Sequence, residues 1–409
     1  MEVVITRCAG LDVHKATVVA TVRVPGSEGR RRVETATFGT MTADLIALRE
    51  WLQAFGVTHV ALESTGVYWK PVYYVLEDAF ELLLINMLAL KHVPGRKTDV
   101  QDSVWLAQLL ECGLLRSSFV PPPPIRELRD ITRYRVQQTR ERSREVNRLQ
   151  KVLEDAGVKL TSVVTDVMGV SGRAMVEALV HGTTDPQVLA ELARGTLRKK
   201  LPALQRALTG RFRPVHAFLL EEILAKIDYL DEALERLTAE IDRRVVPFEP
   251  TLMALDTIPG INRIGAISLI AETGGDMSRF PRAPQLCSWA GMCPGHDESA
   301  GKRRPGKTRK ANRYLRSTLI QAGVAAAHTK TSALRALYAR VKARRGHKKA
   351  VVATGHQILE IAYYVMRDGI TYRELGADYF QRRDRERTAR RHVKQLEALG
   401  YVVTVEPAA

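Results

Sequence analysis

The stretch Gly95-Arg-Lys-Thr-Asp-Val-Gln-Asp-Ser-Val-Trp-Leu-Ala-Gln-Leu-Leu110 predicts the start of a helix that carries two acidic residues. Thr98 and Gln101 have the spacing of a capping box. Asp99 and Asp102 share a face at the helix N-terminus, where the helix dipole favours their ionised forms. Two adjacent carboxylates suit a divalent cation. Taken alone, however, the segment is better explained as a first-turn helix acid followed by a solvated one. The apolar residues at helical spacing are Val100, Trp105, Leu106, Leu109 and Leu110.

Strands and helices alternate before this stretch. A turn signal at Gly26-Ser-Glu-Gly29 separates two segments that are rich in β-branched residues, as in a hairpin. An order of three antiparallel strands, then helices and strands in alternation, matches an RNase H-like fold of the α/β class, which we expect at residues 1–120. The predicted strands are 9–13, 17–24, 31–38, 57–63 and 81–85, and the predicted helices are 42–55, 68–78 and 99–115.

This fold predicts where the acidic residues lie. Asp12 ends the first strand and Glu63 ends the fourth, and sites in open α/β sheets gather at the carboxyl ends of strands. We expect Asp99 and Asp102 to approach the same point from the last helix. Four carboxylates repel one another unless cations neutralise them, and two Mg²⁺ ions about 4 Å apart would do so while activating a nucleophile. A single acid at a strand end is often a turn residue, so the prediction depends on the joint placement.

Length and charge narrow the class of protein. A chain of 409 residues is expected to form two or three domains. Its 62 Lys and Arg residues exceed its 45 Asp and Glu residues, and the net charge of +17 predicts a polyanionic partner. Nucleic acid is the commonest such partner and an anionic membrane is the alternative. Since we find no membrane-length apolar run, no signal peptide and no CxxC spacing, we expect a cytoplasmic, nucleoid-associated protein with reduced thiols and no membrane partner.

The middle of the chain, residues 121–250, predicts two long helices around a small helical insert. Pro121 to Pro124 marks a domain boundary, and residues 157–214 form the insert, in which we find no chemistry. The arginine-rich helix 125–156 fits a solvated face and a nucleic-acid-facing surface about equally well. A coiled-coil seam follows, which pairs with helix 125–156 or, as its length favours, with another protomer. Its apolar residues are Leu220, Ile223, Ile227, Leu230, Leu234, Leu237 and Ile241.

Residues 251–370 predict a mainly helical domain, and residues 371–409 a basic tail that fits a surface helix as well as a nucleic-acid contact. The turn Ile258-Pro-Gly260 resembles a helix-hairpin-helix, in which backbone N–H groups near Gly260 bind phosphate. Asn262 stands where such hairpins usually carry glycine.

A glycine-rich cationic loop surrounds Ser299 in the same domain, and such a loop suits a phosphate backbone. His296 alone does not supply an esterase triad, and a plain loop serine is the simpler interpretation. The cationic residues of the loop are Lys302, Arg303, Arg304, Lys307, Arg309 and Lys310.

Together these motifs resemble the DEDD insertion-sequence transposases, also called bridge-RNA-guided recombinases. The resemblance implies that the first domain is RuvC-like, that Asp12, Glu63, Asp99 and Asp102 bind Mg²⁺, and that Ser299 is the nucleophile. It also implies a phosphoserine link to DNA, a structured guide RNA and a site shared between protomers of a tetramer. The insert departs from the compact family pattern. The matching stretches are Gly10-Leu-Asp-Val-His-Lys15, Glu63-Ser-Thr-Gly-Val-Tyr-Trp69, Gly95-Arg-Lys-Thr-Asp-Val-Gln-Asp102, Ile258-Pro-Gly260, Trp289-Ala-Gly-Met-Cys-Pro294 and Glu298-Ser-Ala-Gly301.

Three hypotheses follow. The first is a DNA recombinase that joins donor to target DNA as a dimer or tetramer. The second is an Mg²⁺-dependent Holliday-junction resolvase or nuclease without a covalent intermediate; Ser299 distinguishes the two, because two-metal hydrolysis needs no serine. The third is a protein that binds nucleic acid without cutting it. Four acids argue against the third, since carboxylates near phosphates weaken binding unless a metal is present.

Overall fold

The computed structural model describes residues 3–64, 66–86, 99–295, 298–299, 301–303, 308 and 311–404. The chain divides into two compact units, Met1–Pro121 and Pro122–Ala409. Within the described ranges, no helix has both the length and the apolar character needed to cross a bilayer. The finer division into four regions remains a prediction.

The first unit contains a mixed five-stranded sheet in the order β3-β2-β1-β4-β5. The pairs β1–β2 and β2–β3 are antiparallel, whereas β4 runs parallel to both β1 and β5. This topology is consistent with the RNase H-like α/β architecture expected from the sequence. The elements are β1 Cys8–Val13, β2 Thr17–Pro25, β3 Arg31–Gly39, α1 Thr42–Ala54, β4 His59–Glu63, α2 Trp69–Leu76, β5 Glu81–Ile85 and α3 Asp99–Glu111.

Strand β1 is buried on both faces. One face contributes Leu11 to a core shared with Leu48 of α1 and Leu62 of β4. The other face is covered by α3, whose Leu106 and Leu110 pack with Cys8. Because apolar layers cover both faces, the central strands are apolar along their whole length rather than alternating.

Helix α3 spans Asp99–Glu111 and ends earlier than predicted. The predicted cap at Thr98 lies outside the described residues. The helix stops at Glu111 instead of 115 because the glycine at 113 takes a positive φ of 67°, a conformation that breaks the helical repeat. The buried carboxylate of Glu111 then holds two strands, since its oxygens lie 2.8 Å from Arg23 Nη2 and 2.5 Å from Arg31 Nε.

The described part of the second unit is mainly helical and includes a short hairpin. Its helices are α4 Pro123–Asp155, α5 Val170–Val180, α6 Pro186–Glu191, α7 Leu201–Leu208, α8 Pro214–Arg244, α9 Glu249–Asp256, α10 Arg263–Thr273, α11 Ala283–Trp289, α12 Arg313–His328, α13 Ala333–Arg345, α14 His347–Asp368 and α15 Tyr379–Ala398. The hairpin strands are β6 Glu298–Ser299 and β7 Lys302–Arg303.

Helices α4 and α8 pack antiparallel within one chain. The predicted seam therefore packs against the arginine-rich helix of its own chain, which was one of the two expected partners. Leu220 and Ile227 share a core with Leu149 and Leu153 of α4. Helix α5 of the insert closes the same core. Farther along α8, Leu234 and Leu237 are only half-buried. Pairing with another protomer through this seam therefore stays a prediction, and the most buried part of the seam is not available for it.

The helical core beyond α8 brings α9, α10, α12 and α14 together. Leu255, Ile270, Leu319 and Tyr363 belong to this core. The turn between α9 and α10 packs closely on α12, because Gly260 has a φ of +92° and a Cβ there would lie 2.3 Å from a carbonyl oxygen of that helix. Only glycine meets both conditions, so this turn is fixed by packing as well as by backbone conformation.

Candidate active site and nucleic-acid interface

Asp12 and Glu63 occupy equivalent positions on neighbouring parallel strands. Leu11 pairs with Leu62, so the two acids come next along the parallel strands β1 and β4, at their carboxyl ends. Asp12 is 5% exposed and Glu63 is half-buried. Side chains alternate along a strand, and Gly10 faces α3, so Asp12 projects to the face that α3 covers.

The direction of α3 brings its own acids to the same end. Cys8 Sγ lies 3.5 Å from the carbonyl oxygen of Ala107, while Gly10 lies against the backbone of Ser103. Helix α3 therefore runs opposite to β1, and its N-terminus lies at the end where Asp12 is found. The hydroxyl of Ser103 hydrogen-bonds that of Thr21 at 2.8 Å, which fixes this approach.

Three of the four predicted carboxylates are thus placed at one end of the sheet: Asp12, Glu63 and Asp102, the last of which is half-buried. Asp99 begins α3 at the same end, but its side chain is not among those described. Carboxylate oxygens are the ligands that hard divalent cations prefer, so the donor chemistry fits Mg²⁺. Among the described side chains, no group of three His, Cys, Asp or Glu residues surrounds a single point.

His14 is an addition that the sequence reasoning missed. Its Nε2 lies 3.1 Å from Asp12 Oδ2, and about half of its side chain is exposed. The signal was present in the sequence, because His14 follows Asp12 by only two residues, directly after the strand. His14 therefore orients the buried carboxylate, and this contact must be weighed when Asp12 is considered as a metal ligand.

Ser299 lies in a short hairpin rather than in an open loop. It pairs with Lys302 across the turn, and Glu298 pairs with Arg303. Gly301 has a φ of +74°, which suits a two-residue hairpin turn. The side chains of Ser299, Lys302 and Arg303 are not described, and the cations predicted at Arg304, Lys307, Arg309 and Lys310 lie outside the described residues. The structure thus gives the local backbone conformation of the serine.

A buried carboxylate in the second unit organises the arginines of α4. Glu272 on α10 is 2% exposed, and both its oxygens accept hydrogen bonds from Arg133, at 2.8 and 2.7 Å. Asn312, which caps α12, donates to the same carboxylate at 2.5 Å. Arg129 donates to two carbonyl oxygens at the end of α10, and burial lowers its pKa to about 10. This network joins α4, α10 and the start of α12.

Several other arginines of α4 also form ion pairs, whereas two arginines that line a cleft do not. Arg142 pairs with Asp231, Arg144 with Glu141 and Arg148 with Glu145. Within the described part of the chain, neither Arg135 nor Arg140 forms an ion pair with a carboxylate. The two sequence interpretations of this helix therefore apply to different residues: most of its arginines are structural, and two form no ion pair with the described carboxylates.

Arg135 and Arg140 line a cleft of about 490 Å³ between α4, α10 and α12, which we call the α4–α10–α12 cleft. Gly260 also lines it, but Asn262 caps α10 by accepting a hydrogen bond from the N–H of Gly265 at 2.9 Å. The N–H of Gly265, which a helix-hairpin-helix would use to bind phosphate, is thus already hydrogen-bonded within the protein. The lining residues are Arg135, Val136, Thr139, Arg140, Gly260, Ile261, Asn262, Ile264, Gly265, Ser268, Tyr314, Ser317, Thr318, Gln321, Ala322 and Ala325.

Comparison with known protein families identifies the family to which this chain belongs. A model for the DEDD type of IS110 transposase, described as "Transposase", matches residues 9–157, and a second, described as "Transposase IS116/IS110/IS902 family", matches residues 253–339. The chain belongs to the IS110 family of transposases. The similar curated proteins include the "Insertion element IS110 uncharacterized 43.6 kDa protein" of Streptomyces coelicolor, which is 27% identical over 199 residues. That match covers 47% of this chain and 43% of the relative, so less than half of the relative's length is compared.

The two matched segments of this IS110 chain contain the two candidate regions. The first, 9–157, includes the carboxylate end of the sheet and continues through α4. The second, 253–339, includes α10, the Ser299 hairpin and α12. The insert and α8 lie between them. The family match therefore covers the acids, the serine and the helices that line the cleft.

Proposed function

We propose that this IS110-family protein is a DNA transposase that breaks and rejoins DNA strands through a serine-linked intermediate. The observation that carries the proposal is the antiparallel course of α3 against β1, because it brings the acidic start of α3 to the end of the sheet that holds Asp12 and Glu63. Membership in a transposase family supports the choice of DNA as substrate.

In this proposal Asp12, Glu63, Asp99 and Asp102 hold Mg²⁺, with two ions in each site. Bound Mg²⁺ would neutralise a phosphodiester and increase the acidity of a hydroxyl group. The protein's part is to hold the carboxylates still: the Ser103–Thr21 hydrogen bond and the close approach at Gly10 fix α3 on the sheet. His14 orients Asp12 by its contact with Oδ2. These contacts are the support for a preorganised site.

Ser299 is the nucleophile in the proposed reaction. Its Oγ gives up a proton and forms a bond to phosphorus, while the bond between phosphorus and one strand oxygen breaks and that oxygen takes a proton. A hydroxyl of another strand then attacks the same phosphorus and releases the serine. The phosphodiester is exchanged and not hydrolysed, which a recombinase requires. The cations from Lys302 to Lys310 would stabilise the negative charge that develops during transfer.

A structured guide RNA, donor and target DNA, and a second protomer complete the proposal. The net charge of +17 supports polyanionic partners, and the family resemblance supports the guide RNA and a site shared within a dimer or tetramer. Asp12 and Ser299 belong to different compact units, and the proposal requires that they meet within one chain or between two chains.

The alternative is an Mg²⁺-dependent Holliday-junction resolvase or nuclease without a covalent intermediate. The placement of Asp12, Glu63 and Asp102 at one end of the sheet favours it, because metal ions held by carboxylates would hydrolyse a phosphodiester without a protein nucleophile. The two functions differ at a single side chain, Ser299, which hydrolysis does not need.

A label-transfer experiment separates them. The protein is incubated with ³²P-labelled junction DNA and Mg²⁺, denatured, and examined for label that migrates with the chain. We expect an adduct with the natural protein, none with Ser299→Ala, and an unchanged adduct with the control Ser288→Ala, which alters an exposed serine of α11. Cleavage without any adduct would support the nuclease instead.

A further inference from the structure

The α4–α10–α12 cleft has the size and lining of a ligand site. Its volume of about 490 Å³ falls in the range that holds a small molecule or one nucleotide. It is lined only by residues of the second compact unit. Nothing in the proposed strand-transfer chemistry uses it.

The positive charge of the arginines in the cleft favours an anionic ligand. Arg135 is half-buried, and burial lowers its pKa, an effect that Asp242 only partly opposes. Asp242 itself lies 3.3 Å from Arg263, and the Nε of Arg135 donates instead to Thr238 Oγ1 at 2.9 Å. A guanidinium held in a cleft without an ion pair, among the described residues, is stabilised by any anion that enters.

Tyr314 adds a fixed polar group and positions the second guanidinium. Arg140 Cζ lies 5.8 Å from the centre of the tyrosine ring, a cation–π distance. The Tyr314 hydroxyl accepts hydrogen bonds from Gln137 at 3.0 Å and Arg313 at 3.1 Å. A hydroxyl has one donor and two acceptor positions, so with both acceptor positions used its O–H is directed to another acceptor. An anionic oxygen in the cleft is suitably placed for that role.

The floor of the cleft is apolar, which a phosphate alone would not use. Val136, Ile264, Ala322 and Ala325 contribute apolar surface beside the hydroxyls and the Gln321 amide. A nucleotide matches both parts, because its phosphate is anionic and its base has an apolar face with polar edges. A duplex is too wide to enter, whereas an unpaired nucleotide fits such a pocket.

We propose that the α4–α10–α12 cleft binds one unpaired nucleotide of a nucleic-acid strand, with its phosphate at Arg135 and Arg140 and its base over the floor formed by Ile264, Ala322 and Ala325. The inference rests on the proposed function only in taking nucleic acid as the ligand. It assigns a specific recognition role to residues outside the carboxylate end and the serine hairpin. The same chemistry is offered by DNA and RNA, so the test includes both.

The test compares two fluorescent duplexes that differ in one position. Each carries a single unpaired residue, which is adenosine in one and abasic in the other, and each is made as DNA and as RNA. Binding to the full-length protein is measured by anisotropy in EDTA, so that no strand is cut. We expect the natural protein to prefer the base-bearing form by about tenfold in at least one of the two nucleic acids, which identifies the source of the ligand.

Matched variants then assign the preference to the cleft. Ala325→Phe fills the floor from an exposed position and should abolish the preference, whereas Val324→Phe, at an exposed neighbour that does not line the cleft, should keep it. Arg140→Ala should weaken binding of both forms and reduce the salt slope by about one, while Arg144→Ala, already paired with Glu141, should not. Circular dichroism checks the fold of each variant.

Two results would overturn the inference. Equal binding of the base-bearing and abasic forms by the natural protein, in both DNA and RNA, means that no base enters a cleft. A preference that survives Ala325→Phe in a folded protein means that the base binds elsewhere. Ser299→Ala separates this inference from the proposed function: it should lose the covalent adduct but keep the base preference.

Discussion

Two regions of the molecule carry opposite charges: the carboxylate end of the sheet is negative and the α4–α10–α12 cleft is positive. We propose that both bind the same kind of polyanion, a nucleic acid. The first gathers Asp12, Glu63 and Asp102 at strand and helix ends. The second exposes Arg135 and Arg140 without ion pairs among the described residues. Carboxylates repel phosphate until a cation intervenes, whereas guanidiniums attract it directly. Dependence on divalent metal and dependence on salt should therefore be separable by mutation.

Burial alone does not mark a functional acid in either unit. Glu111 and Glu272 are as buried as Asp12, but each is held by arginines from neighbouring elements and has a structural explanation. Asp12 instead has a half-exposed histidine beside it and lies at a strand end. The partners of a buried carboxylate, more than its exposure, separate a structural acid from a candidate ligand.

The largest effect should come from Asp12→Asn. The change keeps the shape of the side chain and removes its charge, so Mg²⁺ binding should be lost while the fold remains. Junction cleavage in Mg²⁺ should fall by at least about a hundredfold, since even changes beside metal ligands cost 10–100-fold. Asp78→Asn, at an exposed position of the same unit, is the control and should cleave normally. Normal cleavage by folded Asp12→Asn would remove this residue from the site.

Glu272→Ala should produce the largest loss of stability. It leaves Arg133 without its bidentate partner and Asn312 without an acceptor, and breaking a buried pair costs about 3–5 kcal/mol. Urea denaturation measures the loss. Glu249→Ala removes the exposed partner of Arg263, and because water screens this ion pair the loss should be much smaller. The free energy of unfolding that Glu272→Ala loses should be the same with and without Mg²⁺, because this carboxylate is expected to hold arginines and not a metal. A loss that depends on Mg²⁺ would contradict the structural role assigned to Glu272.

The first unit could be predicted closely from sequence, whereas the cleft could not. Strand β5 was predicted at its observed bounds, and the strand-end positions of Asp12 and Glu63 followed from apolar runs that end in an acid. Local patterns carry this information. The cleft depends on Glu272 and Asn312, far from α4 in sequence, and no periodicity predicts which arginine finds which carboxylate.

The coiled-coil seam shows a second limit of prediction. The heptad spacing at 220–241 identified an apolar stripe correctly, but spacing is the same for a partner in the same chain and in another chain. The structure shows α4 as a partner, through the core that includes Leu149 and Leu153. The choice depends on tertiary packing with α4 and the insert, which periodicity does not encode.

A moderate effect is expected from the cations near Ser299. Changing Arg303 and Arg304 together to Ala should flatten the slope of log affinity against log salt by up to about two units, because each phosphate contact contributes about one. Arg144 and Arg148, both paired on α4, provide a control pair whose change to Ala should leave the slope nearly unaltered. Equal slopes for the two double variants would show that the hairpin does not contact phosphates.

The effect that is smallest at neutral pH concerns two buried thiols, one in each unit. Burial raises the pKa of Cys8 to about 12, with a further rise from the carboxylate of Glu111, and burial likewise raises that of Cys287 to about 12. A thiol whose pKa is higher in the folded chain stabilises the fold fully below its unfolded pKa of about 8.5, and this contribution is lost as pH rises toward 12. Stability should thus fall by about 1.4 kcal/mol per pH unit for each thiol above pH 9.

Cys8→Ala isolates the contribution of the first unit. The variant should be less stable at pH 7, because a buried side chain is shortened, but its stability should decline less steeply between pH 9 and pH 11 than that of the natural protein. Denaturation followed by tryptophan fluorescence measures the difference, with the half-buried Cys112→Ala as control. Cys8 Sγ contacts the backbone of α3 at Ala107, so its burial depends on the helix packing that brings the acids together. An unchanged pH dependence would mean that this contact opens readily, and that the carboxylate end is less rigid than a preorganised metal site requires.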